Sequence, residues 1–185
     1  MAVQVDQNTP GHLIRSRQTF KTRRTRMHFS AKTIARSAII AAIYTALTLL
    51  FLPISFKEIQ MRVSELCTLL PIFFPEAIPG VTIGCLLSNI LGGAMLPDII
   101  FGTLATLLAA ICTYRLRSNR LLASTMPVIF NGLIVGTVVH YCYSPNVPLP
   151  LCMLFVAIGE AVVCILMGQI FMRLVDHLPK SVMEN

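Results

Sequence analysis

Long runs of apolar residues follow one another through most of this sequence from residue 37 onward. Each is long enough, or nearly so, to cross a hydrocarbon core of about 30 Å as a helix rising about 1.5 Å per residue. They cover residues 37–54, 59–74, 77–96, 99–114, 121–143 and 147–172. The chain is 55 % hydrophobic and 12 % charged, whereas a soluble domain carries about 25 % charged residues. These features exclude a water-soluble globule and predict an all-α integral membrane protein.

The basic residues are unevenly distributed along the chain, and this sets the predicted topology. With six spans and a cytoplasmic N-terminus, 13 of the 15 Lys and Arg residues lie inside, and Lys57 and Arg62 lie outside. The positive-inside rule expects such an asymmetry. Five spans would result if the segment carrying Arg62 and Glu65 did not cross, and a basic cluster would then lie outside. The sequence therefore predicts a six-transmembrane-helix bundle with both termini cytoplasmic.

Three regions are predicted: a mobile basic extension (1–32), the six-helix membrane domain (33–176) and a cytoplasmic C-terminal tail (177–185). Beside an apolar helix, the basic extension indicates a topology signal and a contact with anionic lipid rather than with nucleic acid. The extension is too long for the start of a secretory signal peptide, so the first helix is expected to be retained. A start at Met27 is an alternative.

Signals for metal binding or catalysis are absent from the sequence. The six cysteines never fall as CxxC, and no Walker A, HExxH or GxSxG motif occurs, so neither an enzyme nor a cofactor or metal site is predicted. Cys142 and Cys152 flank one predicted outer loop, which allows a disulfide, although two thiols are the favoured interpretation. Energy for uphill transport would have to come from other subunits or an ion gradient.

Small side chains recur at four-residue spacing on two of the segments. In lipid, helices associate through close packing that small residues permit. On the first helix, Ala38, Ala42 and Ala46 therefore indicate either docking of a partner helix or packing within the bundle. For the strip on the third segment, packing within the bundle is the favoured interpretation: Gly80, Gly84, Ser88 and Gly92.

Ionisable and amide side chains inside the apolar segments are the strongest functional signal. A charged side chain near the bilayer centre costs at least about 2.5–3.5 kcal/mol. The predicted topology gathers five such residues near the outer face and puts Glu160 near mid-depth; the five are Arg62, Glu65, Asn89, Asp98 and His140. A closed pocket lined by two or more carboxylates and an amide suits a ligand rich in hydrogen-bond donors, such as a planar NH-rich base or an amine.

Structural roles remain open for several of these residues. Arg62 and Glu65 have the spacing of a local ion pair at the interface. Asn131 is more simply explained as a hydrogen bond between helices than as a ligand contact. His140 lies beside Tyr141 and Tyr143, which is typical of an interfacial aromatic belt.

Four blocks of the sequence resemble the QueT family of S components of energy-coupling factor (ECF) transporters. They are IQMRVSELCTLLPIFFPEAIPGVTIGCLLSNILGG (59–93), LPDIIFGTLATLLAAICTYRLR (96–117), PVIFNGLIVG (127–136) and AIGEAVVCILMG (157–168). The resemblance covers nearly everything from residue 33 to residue 172. It implies a six-helix subunit of a prokaryotic cytoplasmic membrane that binds a 7-deazaguanine precursor of queuosine near the outer face.

The resemblance also implies partners. The subunit would work with a transmembrane scaffold protein and two cytoplasmic ATPases, and it would topple within the scaffold to present ligand to the cytoplasm. In related S components an AxxxA strip on the first helix docks the scaffold, and Ala38, Ala42 and Ala46 match it.

Two other functions remain alternatives. One is a secondary transporter of a small polar or amine solute, in which Glu65 or Glu160 is protonated in each cycle. The other is a membrane assembly factor without a solute. The sequence does not distinguish among the queuosine precursors.

Overall fold

A computed structural model describes residues 30–52 and 61–177. The predicted basic extension up to residue 29, Lys57 and the tail from residue 178 lie outside the described residues. Six helical segments and no β-strand occur in the described part. They are α1 (Ala31–Leu50), α2 (Val63–Ile72), α3 (Ala77–Leu91), α4 (Leu96–Arg115), α5 (Arg120–Cys142) and α6 (Leu149–Asp176). The predicted all-helical class is confirmed.

Local signals explain where the long helices begin. The Ser30 hydroxyl accepts a hydrogen bond from the Thr33 N–H at 3.3 Å, and Asn119 accepts one from the Leu122 N–H at 3.2 Å. Both are N-caps, which satisfy backbone donors that lack partners within the helix. Prolines in the first turn begin α4 and α6, where the missing N–H costs nothing.

Four described helices are long and apolar enough to cross a membrane: α1, α4, α5 and α6. The other two are shorter. α3 has 15 residues, and α2 is a 3₁₀ helix of 10 residues that contains Pro71. A 3₁₀ helix rises about 2.0 Å per residue, so α2 extends about 20 Å, less than the hydrocarbon core. The count of six complete spans and the side on which the termini lie stay predictions.

The small residues of α3 pack inside the bundle against α1. A Cβ atom on Gly80 would lie 2.9 Å from the Ser37 carbonyl oxygen, and one on Gly84 would lie 2.7 Å from the Tyr44 Cβ. Only glycine allows so close an approach of the two backbones. The internal-packing interpretation is therefore confirmed for these two glycines.

Ion pairs join the helices at one end of the bundle, called the basic end. Arg36 pairs with Glu76 at 2.8 Å, and Arg120 donates to Asp176 at 2.9 Å. Six basic residues lie at this end: Lys32, Arg36, Arg115, Arg117, Arg120 and Arg173. The opposite end holds the α3–α4 turn and the α5–α6 loop, and Arg62 is the basic residue described there. This distribution agrees with the charge asymmetry used to predict topology.

Candidate functional site

A cluster of buried polar side chains lies in the bundle core, extending toward the end opposite the basic end. It brings together six of the seven candidate ligand-binding residues, each at most 3 % exposed: Arg62, Glu65, Asn89, Asp98, Asn131 and Glu160. They come from α3, α4, α5, α6 and the start of α2. A sequence that places so many polar groups in an apolar interior must pair them with one another or with a ligand.

Glu65 is held through one oxygen of its carboxylate. The Tyr44 hydroxyl on α1 donates to Glu65 Oε1, and the Thr106 hydroxyl on α4 donates to the same oxygen at 3.3 Å. The other oxygen, Oε2, is buried and has no hydrogen-bond partner among the described residues. One side of this carboxylate is thus fixed by protein donors, and the other is open to a further donor.

The two carboxylate oxygens of Asp98 also differ in their hydrogen bonding: one has partners and the other has none among the described residues. Oδ2 accepts from Arg62 at 3.5 Å and from the Tyr143 hydroxyl at 3.3 Å. Oδ1 is buried and lacks a partner within the described part of the chain. Burial raises the pKa of Tyr143, which keeps its hydroxyl protonated as a donor. The ion pair shown for Arg62 therefore joins the start of α2 to α4.

Asn89 lies beside Asp98 in the cluster. Its Nδ2 donates to the Asp98 carbonyl oxygen at 3.3 Å, while its Oδ1 is buried without a partner in the described ranges. A Cβ on Gly102 would lie 2.8 Å from Asp98 Oδ1 and 3.2 Å from Asn89 Nδ2. Asp98 and Asn89 therefore pack directly against Gly102, and a side chain at this position would displace them.

The other polar residues of the cluster come from α5 and α6. The Cys164 thiol donates to Glu160 Oε2 at 3.6 Å and lies at the same distance from the Glu65 carbonyl oxygen. The buried Asn131 side chain lies near the Glu65 and the Glu160 carboxylates. Asn131 opens a π-helical stretch in α5, and Glu160 directly precedes another in α6. Such stretches are frequent at functional sites.

His140 has different surroundings. Its Nδ1 lies 2.8 Å from the Val147 carbonyl oxygen, and its ring meets Tyr141 edge-on. No hydrogen bond or ion pair in the described residues joins it to the other six candidates. These contacts favour the interfacial role over the ligand-binding role.

Sequence reasoning missed several members of the cluster, of which Tyr44 is the most important. Tyr44 is completely buried. Its buried neighbours on α1, Ile40, Ala41 and Thr48, recur at helical spacing. That periodicity is visible in the sequence and is a signal that could have placed the Tyr44 hydroxyl in the core.

The cluster contains buried acceptor atoms that could take further hydrogen-bond donors. Three acceptor atoms, on α2, α3 and α4, are buried without partners among the described residues: Glu65 Oε2, Asn89 Oδ1 and Asp98 Oδ1. Leaving such an atom unsatisfied costs about 1–3 kcal/mol. In the described residues, no group of three His, Cys, Asp or Glu side chains is placed to hold a metal ion. Cys142 and Cys152 are thiols.

The alanine strip lies on the surface of the bundle. Ala38, Ala42 and Ala46 are all exposed on the face of α1 that points away from Tyr44. Ala38 and Ala42 also line an apolar groove of about 760 Å³ between α1 and α3. This part of α1 is therefore accessible to another helix or to lipid.

Apolar helices long enough to span a bilayer, combined with buried polar groups at their centre, define a multi-pass membrane protein of the transporter class. The chain belongs to the QueT transporter family, whose model matches residues 34–177. This is a family of transporters and not of enzymes.

A curated relative matches part of the chain. Over 76 residues the chain is 42 % identical to the queuosine precursor transporter QueT of Lactococcus lactis subsp. cremoris (strain MG1363). The alignment covers 40 % of this chain and 44 % of the relative, so it spans less than half of either protein. No solved structure matches the chain.

We expect Gly102→Ala to weaken ligand binding about 10-fold, because the new methyl group would displace the Asp98 carboxylate from its position. Binding to the purified protein is measured by calorimetric titration with 7-deazaguanine. Gly132→Ala is the matched control, since its Cβ would meet Ala157 and Met153 instead of the polar cluster. Equal affinities for the two variants would contradict a ligand position beside Gly102.

Proposed function

We propose that this chain is a membrane substrate-binding subunit that captures a queuosine precursor of the 7-deazaguanine type and delivers it inward with an ATP-driven ECF module. The observation that carries the proposal is the set of three partnerless acceptors, Glu65 Oε2, Asn89 Oδ1 and Asp98 Oδ1. Membership of the QueT transporter family and the name of the curated relative support a precursor of queuosine as the ligand.

The chemistry of 7-deazaguanine fits these acceptors. Its pyrimidine edge carries an N–H beside an exocyclic amino group, and its pyrrole nitrogen carries another N–H. A carboxylate accepts the two adjacent donors of the pyrimidine edge through its two oxygens. Glu160 is the candidate for this role, because Oε1 of Glu65 already accepts from Tyr44 and Thr106. Glu65 Oε2, Asn89 Oδ1 and Asp98 Oδ1 offer acceptors for the remaining donors. Arg62 provides a donor for the ligand's carbonyl oxygen.

The distribution of basic residues indicates the side of the membrane from which the ligand enters. Arg62 and Asp98 lie at the end opposite the basic end. If the basic end faces the cytoplasm, as the positive-inside rule favours, the ligand enters from outside. The chain contains no Walker A motif, so ATP would be hydrolysed by separate cytoplasmic ATPases. The exposed strip of Ala38, Ala42 and Ala46 is proposed to dock the transmembrane scaffold, within which the bundle topples.

Ligand binding is tested with the purified full chain. We expect gently extracted protein to retain a deazaguanine that mass spectrometry identifies, and calorimetry to show binding of 7-deazaguanine. The control ligand is 7-deazaadenine, which has a ring acceptor where 7-deazaguanine has a donor. It should bind at least about 10-fold more weakly, because a site built for hydrogen bonds rejects an analogue that leaves its groups unpaired. Equal binding of the two bases, or binding of neither, would refute the proposed ligand class.

A proton-coupled secondary transporter is the second candidate. It is favoured by the proximity of Glu65 and Glu160, two buried carboxylates that lie near the same Asn131 side chain. Such a pair can exchange a proton for a cationic or polar solute. Uptake into proteoliposomes containing this chain alone, abolished by a protonophore and indifferent to ATP, would select this function over the ECF subunit.

A further inference from the structure

We propose that Tyr44 and Thr106 are positioning residues that hold the Glu65 carboxylate with Oε2 turned toward the ligand, an inference that rests on the proposed function. The Tyr44 hydroxyl and the Thr106 hydroxyl both donate to Oε1. Oε2 is the buried oxygen without a partner in the described residues. Neither Tyr44 nor Thr106 has to touch the ligand for this role.

Two donors on one oxygen restrict a torsion that is otherwise loosely defined. The terminal torsion of a glutamate joins sp³ and sp² carbons and has a broad, roughly two-fold profile. Tyr44 lies on α1 and Thr106 on α4, so the carboxylate is held from two helices. A group already in its binding orientation costs less to order when the ligand arrives. The arrangement therefore gives affinity through pre-organisation.

The remainder of Glu65 is also fixed. Its carbonyl oxygen accepts from the Thr68 hydroxyl at 2.6 Å, and the Cys164 sulfur lies 3.6 Å from the same oxygen. With backbone and Oε1 both held, Oε2 is the part of this residue left to interact with a ligand.

The position of the Tyr44 hydroxyl in turn depends on close packing of α1 against α3. A Cβ atom at Gly84 would lie 2.7 Å from the Tyr44 Cβ. Gly84 thus allows α1 to approach closely enough for the Tyr44 hydroxyl to reach Glu65. This assigns a role in the site to a glycine whose spacing in the sequence indicated packing alone.

The test combines binding with a spectroscopic measurement on the full-length purified chain. We expect Tyr44→Phe to bind 7-deazaguanine about 10-fold more weakly and Thr106→Val about 5-fold more weakly, which is the size of effect that the loss of one hydrogen bond has. Thr106→Ser keeps the hydroxyl and should restore wild-type affinity. Thr103→Val is the matched control on the same helix, because the Thr103 hydroxyl has no hydrogen-bond partner in the described residues.

An infrared spectrum separates positioning from a merely structural role. The carboxylate band of Glu65 is identified by its loss in Glu65→Gln, and it should shift in Tyr44→Phe and in Thr106→Val but not in Thr103→Val. An unshifted band, or wild-type affinity in both Tyr44→Phe and Thr106→Val, would overturn the inference. If Tyr44→Phe fails to fold, the Thr106→Val and Thr106→Ser pair decides. If wild-type protein binds no deazaguanine, the proposed function fails, and the band alone tests how Glu65 is held.

Discussion

Replacing Ala42 with leucine is expected to abolish ATP-dependent uptake while leaving ligand affinity unchanged. Ala42 is exposed on α1 and lines the groove between α1 and α3, whereas Tyr44 and the polar cluster lie on the other side of the same helix. A leucine side chain at this position would hold a partner helix away, because helix association in lipid depends on close packing of small residues. This variant should therefore lose docking to the scaffold and keep its affinity for the ligand.

The experiment measures three quantities on the same preparation: co-purification with the scaffold, uptake into proteoliposomes containing scaffold and ATPases, and affinity for 7-deazaguanine. Thr137→Leu is the control, since Thr137 is a partly exposed position of α5 and the change introduces the same leucine side chain away from the alanine strip. We expect Thr137→Leu to behave as wild type. Docking and uptake at wild-type level in Ala42→Leu would mean that the strip faces lipid and no protein partner.

The class of fold and the charged members of the polar cluster could be predicted from the sequence for one physical reason. Charged groups are costly in an apolar helix, so each one that occurs stands out against its surroundings. The structure indeed places Glu65, Asp98 and Glu160 in the core, at most 2 % exposed. Their use in ligand binding remains a prediction.

The partners within the cluster could not be predicted in the same way. Sequence spacing reveals neighbours three or four residues apart on one helix, whereas Arg62 pairs with Asp98 from another helix. Tyr44 was missed because tyrosine is common at membrane interfaces and its hydroxyl carries no charge. The 3₁₀ form of α2 and the π-helical stretches were missed because apolar periodicity does not distinguish among helix types.

The largest expected effect on binding is that of Glu160→Gln. Glu160 is 2 % exposed and lies too far from either end of α6 to reach water. The substitution keeps the size of the side chain but replaces one acceptor oxygen with a donor, so a guanine-like edge that requires two acceptors would meet one repulsive contact. An unpaired buried polar group costs about 1–3 kcal/mol, which corresponds to about a 5- to 150-fold loss of affinity.

The control for this variant uses the same chemical change at the other end of the molecule. Glu76 is also buried, but it pairs with Arg36 at the basic end, so Glu76→Gln should leave affinity unchanged. Folding should tolerate Glu160→Gln, because a neutral amide is less costly to bury than a carboxylate. Calorimetric titration with 7-deazaguanine decides the assignment. Unchanged affinity in Glu160→Gln would remove Glu160 from the site and leave Glu65, with its partnerless Oε2, as the principal acceptor.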